Sequence, residues 1–522
     1  MIDVKKILDK RNFFYLLLVI YFVINLAFLT KFPFVHSDES WLSGLSRNIM
    51  ENKDYSVTET FFDLYERNPH AIKSIFHTIQ IAFIKIFGYS IFSVRMISLV
   101  FSTLSLLYFY RLCKLFFKSD KIAFITTVFL SLDVQFIYAS HFARQEIIIL
   151  FTLILAFYYL FKHLDSFCTK DNIILGLIIG LSIGIHPNSF IISLPIVLIY
   201  LYNIFITKKL NFRDFFIFGV VLALFAALFV ALSLYFDANF FYNYSKYGEQ
   251  FGVFYTASSK LSQIKNFYMK LYYSVSGTYY TPNIKFQFLL FSVALITSLI
   301  KLYKLKEESL KEKIIAIILS IIAINIGTII IGRYNQTSIV FQFPLFYVLV
   351  VYMFSEINNS YKRGISIVIS LILLGSSVYN AIPYTYNDYN DYLNQISKIV
   401  NKNDMVLANL NCEFYFNNGK LLDYRNLSFL KKHNIAFEEY IYNNNIEYII
   451  YPEEMDFIYN SRPVWNGIYG NTYYYYDDMK HFMKNKCELV YEFNDNTYAI
   501  RIARYINKRD WNVKIFKILH KP

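Results

Sequence analysis

Apolar runs alternate with short charged loops along most of this chain. The runs lie near 13–31, 95–117, 122–140, 147–162, 172–187, 188–206, 214–236, 285–301, 314–331, 338–355 and 364–381. Each approaches the ~20 apolar residues a helix needs to cross the ~30 Å hydrocarbon core of a bilayer. The pattern predicts a polytopic α-helical membrane protein with about eleven transmembrane helices, forming a domain over residues 1–381. Two polar stretches interrupt it, near 32–94 and 237–284. Within the first, Ile75 to Phe87 (IFHTIQIAFIKIF) is apolar but short and contains His77 and Lys85. It reads as a helix at the interface, not as a span.

Cations give the runs a direction. Alternate loops collect them: Lys5, Lys6, Lys10 and Arg11, then Arg111, Lys114, Lys118 and Lys121, then Lys208, Lys209 and Arg213, then Lys301, Lys304, Lys306, Lys311 and Lys313. The short loops near 141–146, 186–188 and 332–337 hold few. By the positive-inside rule the N-terminus is cytoplasmic and the tail is not. From Asn387 onward the pattern changes to short blocks. NDYLNQISKIV and AFEEYIYNNN read as helices; DMVLANL, IEYIIYP, CELVYEF and TYAIRIA read as strands. Residues 382–522 are therefore expected to form an extracytoplasmic α/β domain that binds or covers, since no catalytic motif shows in it.

Composition agrees. Of 522 residues 56% are apolar, 20% aromatic and only 17% charged, more apolar surface than a soluble domain can hide. The expected location is the plasma membrane, crossed many times. A net charge of +13 would suit nucleic acid, but the cations punctuate apolar runs instead of forming a patch, which excludes that partner. Of four cysteines, Cys412 and Cys487 fall in the tail, where an oxidising compartment would allow them to pair. No His/Cys group has zinc spacing.

Candidate chemistry gathers at one side of the expected membrane. Asp38-Glu39, in PFVHSDESW, follows the first span. Paired carboxylates gain nothing from lipid there, but suit cation binding or proton abstraction from an attacking hydroxyl or amine. On the same side lie Asp133, Arg144 and Glu146 (HFARQE), His186 (GIHPN), and Arg333-Tyr334 (IGRYNQ). Arg95, at the start of the second span, reads as an anchor snorkelling to the headgroups. Arg suits phosphate because it stays charged and offers a planar fork of donors.

In order, these pieces resemble the membrane-embedded lipid-phosphate-sugar glycosyltransferases of the GT-C fold, in the branch of protein O-mannosyltransferases and aminoarabinose transferases. His36-Ser37-Asp38-Glu39 matches the acidic motif after the first span. Asn68-Pro69-His70 through Ile86-Phe87-Gly88 to Phe92-Ser93-Val94-Arg95 matches the next stretch, where the family often has a second proline in place of His70. Ala143-Arg144-Gln145-Glu146, Gly180-Leu181 to His186-Pro187-Asn188, and Arg333-Tyr334 followed by Pro344 complete the set, over approximately residues 10–350.

The resemblance implies transfer of a sugar from a polyprenyl-phosphate donor to a protein, lipid or glycan acceptor at the outer leaflet, with inversion. Asp38 would be the catalytic base and Glu39 would orient acceptor or sugar. Arg144 and Glu146 would shape the site, and Arg333, followed by Tyr334, would hold the lipid phosphate. His186 would either bind phosphate or cap its turn. Some enzymes of this fold use a divalent metal; this chain lacks a D-x-D triplet in its first loop, so no metal ligand is assigned. The competing readings are a transporter or flippase of lipid-linked sugars, and a related glycan polymerase or ligase.

Overall fold

The structure, a computed structural model, describes residues 10–249, 253–305, 307–332, 334–355, 357–386 and 388–519. Lys5, Lys6, Lys306, Arg333 and Asn387 lie outside the described residues. Helix α1 (Lys10–Phe28) leads to α2 (Ser37–Asn52) and α3 (Ser74–Phe87) in the first loop. There follow α4 (Ile91–Phe117), α5 (Asp120–Ser131), α6 (Val134–Ser140), α7 (Glu146–His163), α8 (Thr169–Ile183), α9 (Ser189–Tyr202) and α10 (Phe212–Phe236). The second loop carries α11 (Phe240–Glu249) and α12 (Ala257–Tyr272). Helices α13 (Lys285–Lys304), α14 (Glu308–Ile331), α15 (Phe343–Met353) and α16 (Asn359–Ala381) close the bundle.

Each of the eleven runs has its helix, but the lengths differ. Among the described residues eight helices are long and apolar enough to cross a membrane, or nine if a bent pair counts as one span. That pair is α5 and α6, which meet at 69°. Asp133 makes the break: its Oδ1 accepts from the backbone N–H of Gln135 (2.8 Å) and Phe136 (3.1 Å), capping α6. Its other oxygen accepts from the Tyr347 hydroxyl (2.7 Å) and Gln287 (3.1 Å). Asp133 thus has a structural explanation. The apolar stretch Phe13–Phe28 and α8, of 15 residues, fall short of a full span. Loop caps end the long helices cleanly; Ser90 accepts from Ser93 N–H at α4, and Asn211 from Asp214 N–H at α10. Helix α10 turns Phe216, Leu224 and Leu228 outward, the arrangement expected where lipid replaces water.

The tail forms a five-stranded sheet in the order β2-β1-β3-β5-β4. Strands β1 (Val406–Ala408), β2 (Leu421–Asp423) and β3 (Tyr448–Pro452) are parallel and buried throughout. Strand β5 (Trp511–Ile518) runs antiparallel to both β3 and β4 (Cys487–Asp495). The sequence blocks locate β1, β3 and β4. They miss β2, only three residues long, and β5, and they misplace one strand at 497–503. That segment is irregular because its amides serve a carboxylate instead of a ladder: Arg501 and Ile502 N–H both donate to the buried Glu454 at 2.9 Å. Cys412 and Cys487 are free thiols, not a disulfide.

The tail packs on the first loop. Asp423 N–H and the Asn426 amide both donate to Phe61 O (3.1 and 2.9 Å). Tyr440 donates to Asp63 (2.9 Å). Arg47 and Tyr89 both reach Glu413.

Candidate active site

Helix α2 carries the acidic pair, and its first turn explains their opposite fates. His36 is the N-cap: its Nδ1 accepts from Asp38 N–H (3.0 Å), while Glu39 Oε2 accepts from His36 N–H (2.9 Å). This reciprocal cap is a capping box. It turns Glu39 inward and leaves Asp38 facing out. Glu39 is wholly buried and ion-paired with Arg95, whose Nε and Nη2 each donate to it at 2.8 Å. Ala143 N–H completes its shell at 2.9 Å. Glu39 therefore does not face the cavity, contrary to the sequence expectation that it handles substrate.

Arg95 is likewise no headgroup anchor. It is fully buried, and its remaining donors go to the carbonyls of Leu29 (3.0 Å), Pro33 (2.9 Å) and Phe34 (3.3 Å). One guanidinium thus ties the end of α1 to the starts of α2 and α4. Sequence favoured snorkelling because a lone Arg at a helix start looks the same whichever way it points.

The Asp38 side chain is 27% exposed and lines a cavity of about 150 Å³. Arg144 donates to its Oδ2 at 2.9 Å and to the Tyr279 hydroxyl at 2.6 Å, and Tyr279 in turn donates to Asp38. The Tyr279 ring stacks on His36, centroids 4.2 Å apart. On its far side Arg144 pairs with Glu146 at 3.2 Å, and Thr337 donates to the same Glu146 oxygen at 2.8 Å. Glu146 Oε2, Arg144 Nε and Gln145 Oε1 are buried without a hydrogen-bond partner among the described residues.

Burial alone would raise the Asp38 carboxyl. Charge on His36, Arg144, and the Tyr279 hydrogen bond act against it, and the balance holds it well below the usual carboxylate range. Burial pushes the His36 imidazole down to about 3 despite Asp38 beside it. At neutral pH His36 is neutral, consistent with its accepting the Asp38 amide, and Arg144 is the cation that matters to Asp38.

His186 also lines the cavity, and its Nδ1 accepts from Asn188 N–H at 2.9 Å. The cap expected of it is present, and so is its place on the wall. Trp41, Arg67, His70 and Lys73 line the same cavity, which adjoins a second compartment of about 200 Å³ that shares Arg67, His70, Lys73 and His186. Tyr334 is elsewhere: its hydroxyl donates to Lys260 O (2.6 Å), and its ring meets Phe267. The structure thus puts Asp38, Arg144 and His186 on one cavity wall with Glu146 behind Arg144, and leaves Glu39 and Tyr334 off that wall.

Sequence reading missed Tyr279, which comes from the second loop more than 200 residues from Asp38 and has no motif around it. It also missed Arg501. That side chain reaches from the tail to Ser37 beside Asp38, and donates to Ile468 O (2.6 Å). A divalent metal does not fit the side chains present. Arg144 already stands between Asp38 and Glu146, and among the described residues no three His, Cys, Asp or Glu side chains converge as metal ligands do.

Residues 75–236 match the family model described as dolichyl-phosphate-mannose-protein mannosyltransferase. No curated protein matches the sequence. Among solved structures the chain is similar to ArnT from Cupriavidus metallidurans bound to undecaprenyl phosphate. The TM-score is 0.57 at 11% identity, covering 96% of this chain and 97% of that one. It is also similar to the Archaeoglobus fulgidus oligosaccharyltransferase in the apo form, with TM-score 0.55 at 13% identity over 87% of this chain and 71% of that one. The same archaeal enzyme, AglB, in complex with an inhibitory peptide and a dolichol-phosphate, gives 0.52 at 13% identity with the same coverage. The matched segment and the shared fold meet the resemblance read from the sequence: this chain has the GT-C fold of these solved structures, and its residues 75–236 fit the mannosyltransferase family model.

Proposed function

We propose that the protein transfers a sugar from a polyprenyl-phosphate donor to a nucleophilic acceptor at the outer face of the membrane, with Asp38 as base. The observation that carries this is the placement of Asp38: a partly exposed carboxylate on a cavity wall, held by Arg144 and Tyr279. The acceptor oxygen or nitrogen attacks the anomeric carbon from the face opposite the phosphate. The carbon–oxygen bond to phosphate breaks, its electron pair leaves with the lipid phosphate, and the acceptor proton passes to Asp38.

A carboxylate of low basicity suits this order of events. The acceptor becomes strongly acidic only as its new bond forms, so a weak base takes the proton late. The departing phosphate gains negative charge, which Lys73 and Arg144 on the cavity wall help to disperse. Arg333, on its sequence position, is assigned to the same task. Glu146 holds Arg144 in place. Glu39 and Arg95 fix the first turn of α2, so their role is positioning and not contact with substrate. The acceptor is a protein, a lipid or a glycan; a polymerase or ligase would share this chemistry.

The test incubates purified protein with radiolabelled polyprenyl-phosphate sugars and cell-envelope fractions, and identifies the labelled product. Transfer of label to an envelope component supports the reading. Label that crosses a vesicle membrane still on its lipid would establish the flippase instead.

A further inference from the structure

A larger cavity, of about 580 Å³, opens at the other end of the helix bundle. Arg95 marks the site end of α4, and Arg111, on the cavity wall, lies sixteen residues further along the same helix. At 1.5 Å per residue that is about 24 Å, most of a bilayer core. Helix α7 makes the same traverse, from Glu146 at the site to Lys162 at the cavity. This second cavity is therefore separate from the Asp38 site.

Its wall is basic. Arg111, Lys114, Lys118, Lys162, Lys209 and Lys313 line it, against two lining carboxylates, Asp165 and Glu312. Part of that charge is internally matched. Lys209 bridges Asp165 (3.0 Å) and Glu312 (2.6 Å), and Lys114 pairs with Asp120 (2.7 Å). Lys313 donates to Leu115 O (3.3 Å). Lys118 pairs with Glu307 (3.7 Å), whereas Arg111, Lys162 and Lys313 form no ion pair among the described residues; Arg111 and Lys162 lie over the rings of Tyr108 (5.1 Å) and Tyr158 (5.8 Å).

Cations alone at this end follow from membrane topology. A roomy cavity with three wall cations outside any ion pair among the described residues does not. Exposed apolar side chains follow closely in the chain. Tyr202 and Asn203 line the cavity, and the chain runs on directly to Phe205 and Ile206, 53% and 67% exposed; Phe212 and Phe216, 61% and 69% exposed, begin the next helix. Cations on the wall, with exposed apolar side chains a few residues along the chain from its lining, match an amphiphile, and basic pockets between spanning helices hold anionic headgroups.

We propose that this cavity binds the phosphate headgroup of an anionic phospholipid, with Arg111 and Lys162 as its charge partners and the acyl chains lying against Phe205 and Phe212. The site is independent of the sugar-transfer reading.

Purified protein in neutral detergent is titrated with short-chain phosphatidylglycerol, with phosphatidylcholine of the same chains, and with inorganic phosphate. Thermal unfolding and native mass spectrometry report binding. Phosphatidylglycerol is expected to raise Tm and to remain bound one per chain, while the other two do neither. The double variant Arg111→Gln/Lys162→Gln should bind it about 30-fold more weakly, the combined effect of two headgroup cations. Arg111→Lys/Lys162→Arg should bind normally. Should the double Gln variant not fold, Lys162→Gln alone decides, with an expected loss of about fivefold. Equal effects of phosphatidylcholine overturn the proposal, as does protection by inorganic phosphate alone, which would mark a soluble anion. Undiminished binding in the Gln variants also overturns it.

Discussion

Two adjacent carboxylates on one helical turn have opposite surroundings, and substitution should separate them. Asp38→Asn keeps shape and one acceptor but cannot take a proton. Transfer per folded molecule should fall about a hundred- to ten-thousand-fold with donor affinity near normal; unchanged turnover would remove Asp38 as the base. Because its neighbours hold Asp38 well below the ordinary carboxylate range, it stays ionised as pH falls through the ~3.9 of a free Asp. The wild-type rate should accordingly show no acid limb from Asp38 between about pH 5 and 8. Glu39→Gln should instead damage the fold. It leaves Arg95 a buried cation with carbonyl partners only, and breaking such a pair costs about 3–5 kcal/mol. The expected outcome is a lower Tm in detergent, with loss of activity in proportion to unfolded protein. A stable variant with low turnover would return Glu39 to the chemistry.

At the scale of elements, the first loop and the tail depend on one another. Helix α2 meets the tail through Arg47–Glu413, and its first turn meets it through Ser37–Arg501. Burial raises the Glu413 carboxyl to about 7, although Arg47 pulls the other way. Its undocked value is ~4.3, so docking takes up a proton between these limits. That contribution is fully present below the undocked value and is lost as pH rises through about 7. The tail should therefore dock more tightly at pH 5.5 than at pH 8, by on the order of 2 kcal/mol. Glu413→Gln should abolish that pH dependence. Hydrogen exchange across β1 and β2 at the two pH values measures it, and a slope unchanged in the variant would assign it to another group.

For the whole molecule, orientation is the property on which the proposed function depends. The charge pattern predicts that the tail and Asp38 lie outside. Alkaline phosphatase fused after Ser397 should be active, and fused after Lys209 inactive. The reverse would place the Asp38 cavity in the cytoplasm and refute transfer at the outer face.

Sequence alone determined the helical class, the path of eleven apolar runs and the GT-C resemblance. These depend on local hydropathy and on short motifs, which need no knowledge of what touches what. It also drew Asp38, Arg144, Glu146 and His186 into one group. Only the tertiary structure decided which carboxylate faces the cavity. The choice turns on a capping box and on Arg95, a partner 56 residues away. Tyr279 and Arg501 could not have been found by pattern, being single side chains brought in from distant loops by packing. The same holds for β5, which exists as a strand because β3 and β4 flank it. Local sequence decides what a segment buries, whereas the partner it buries against is a property of the folded chain.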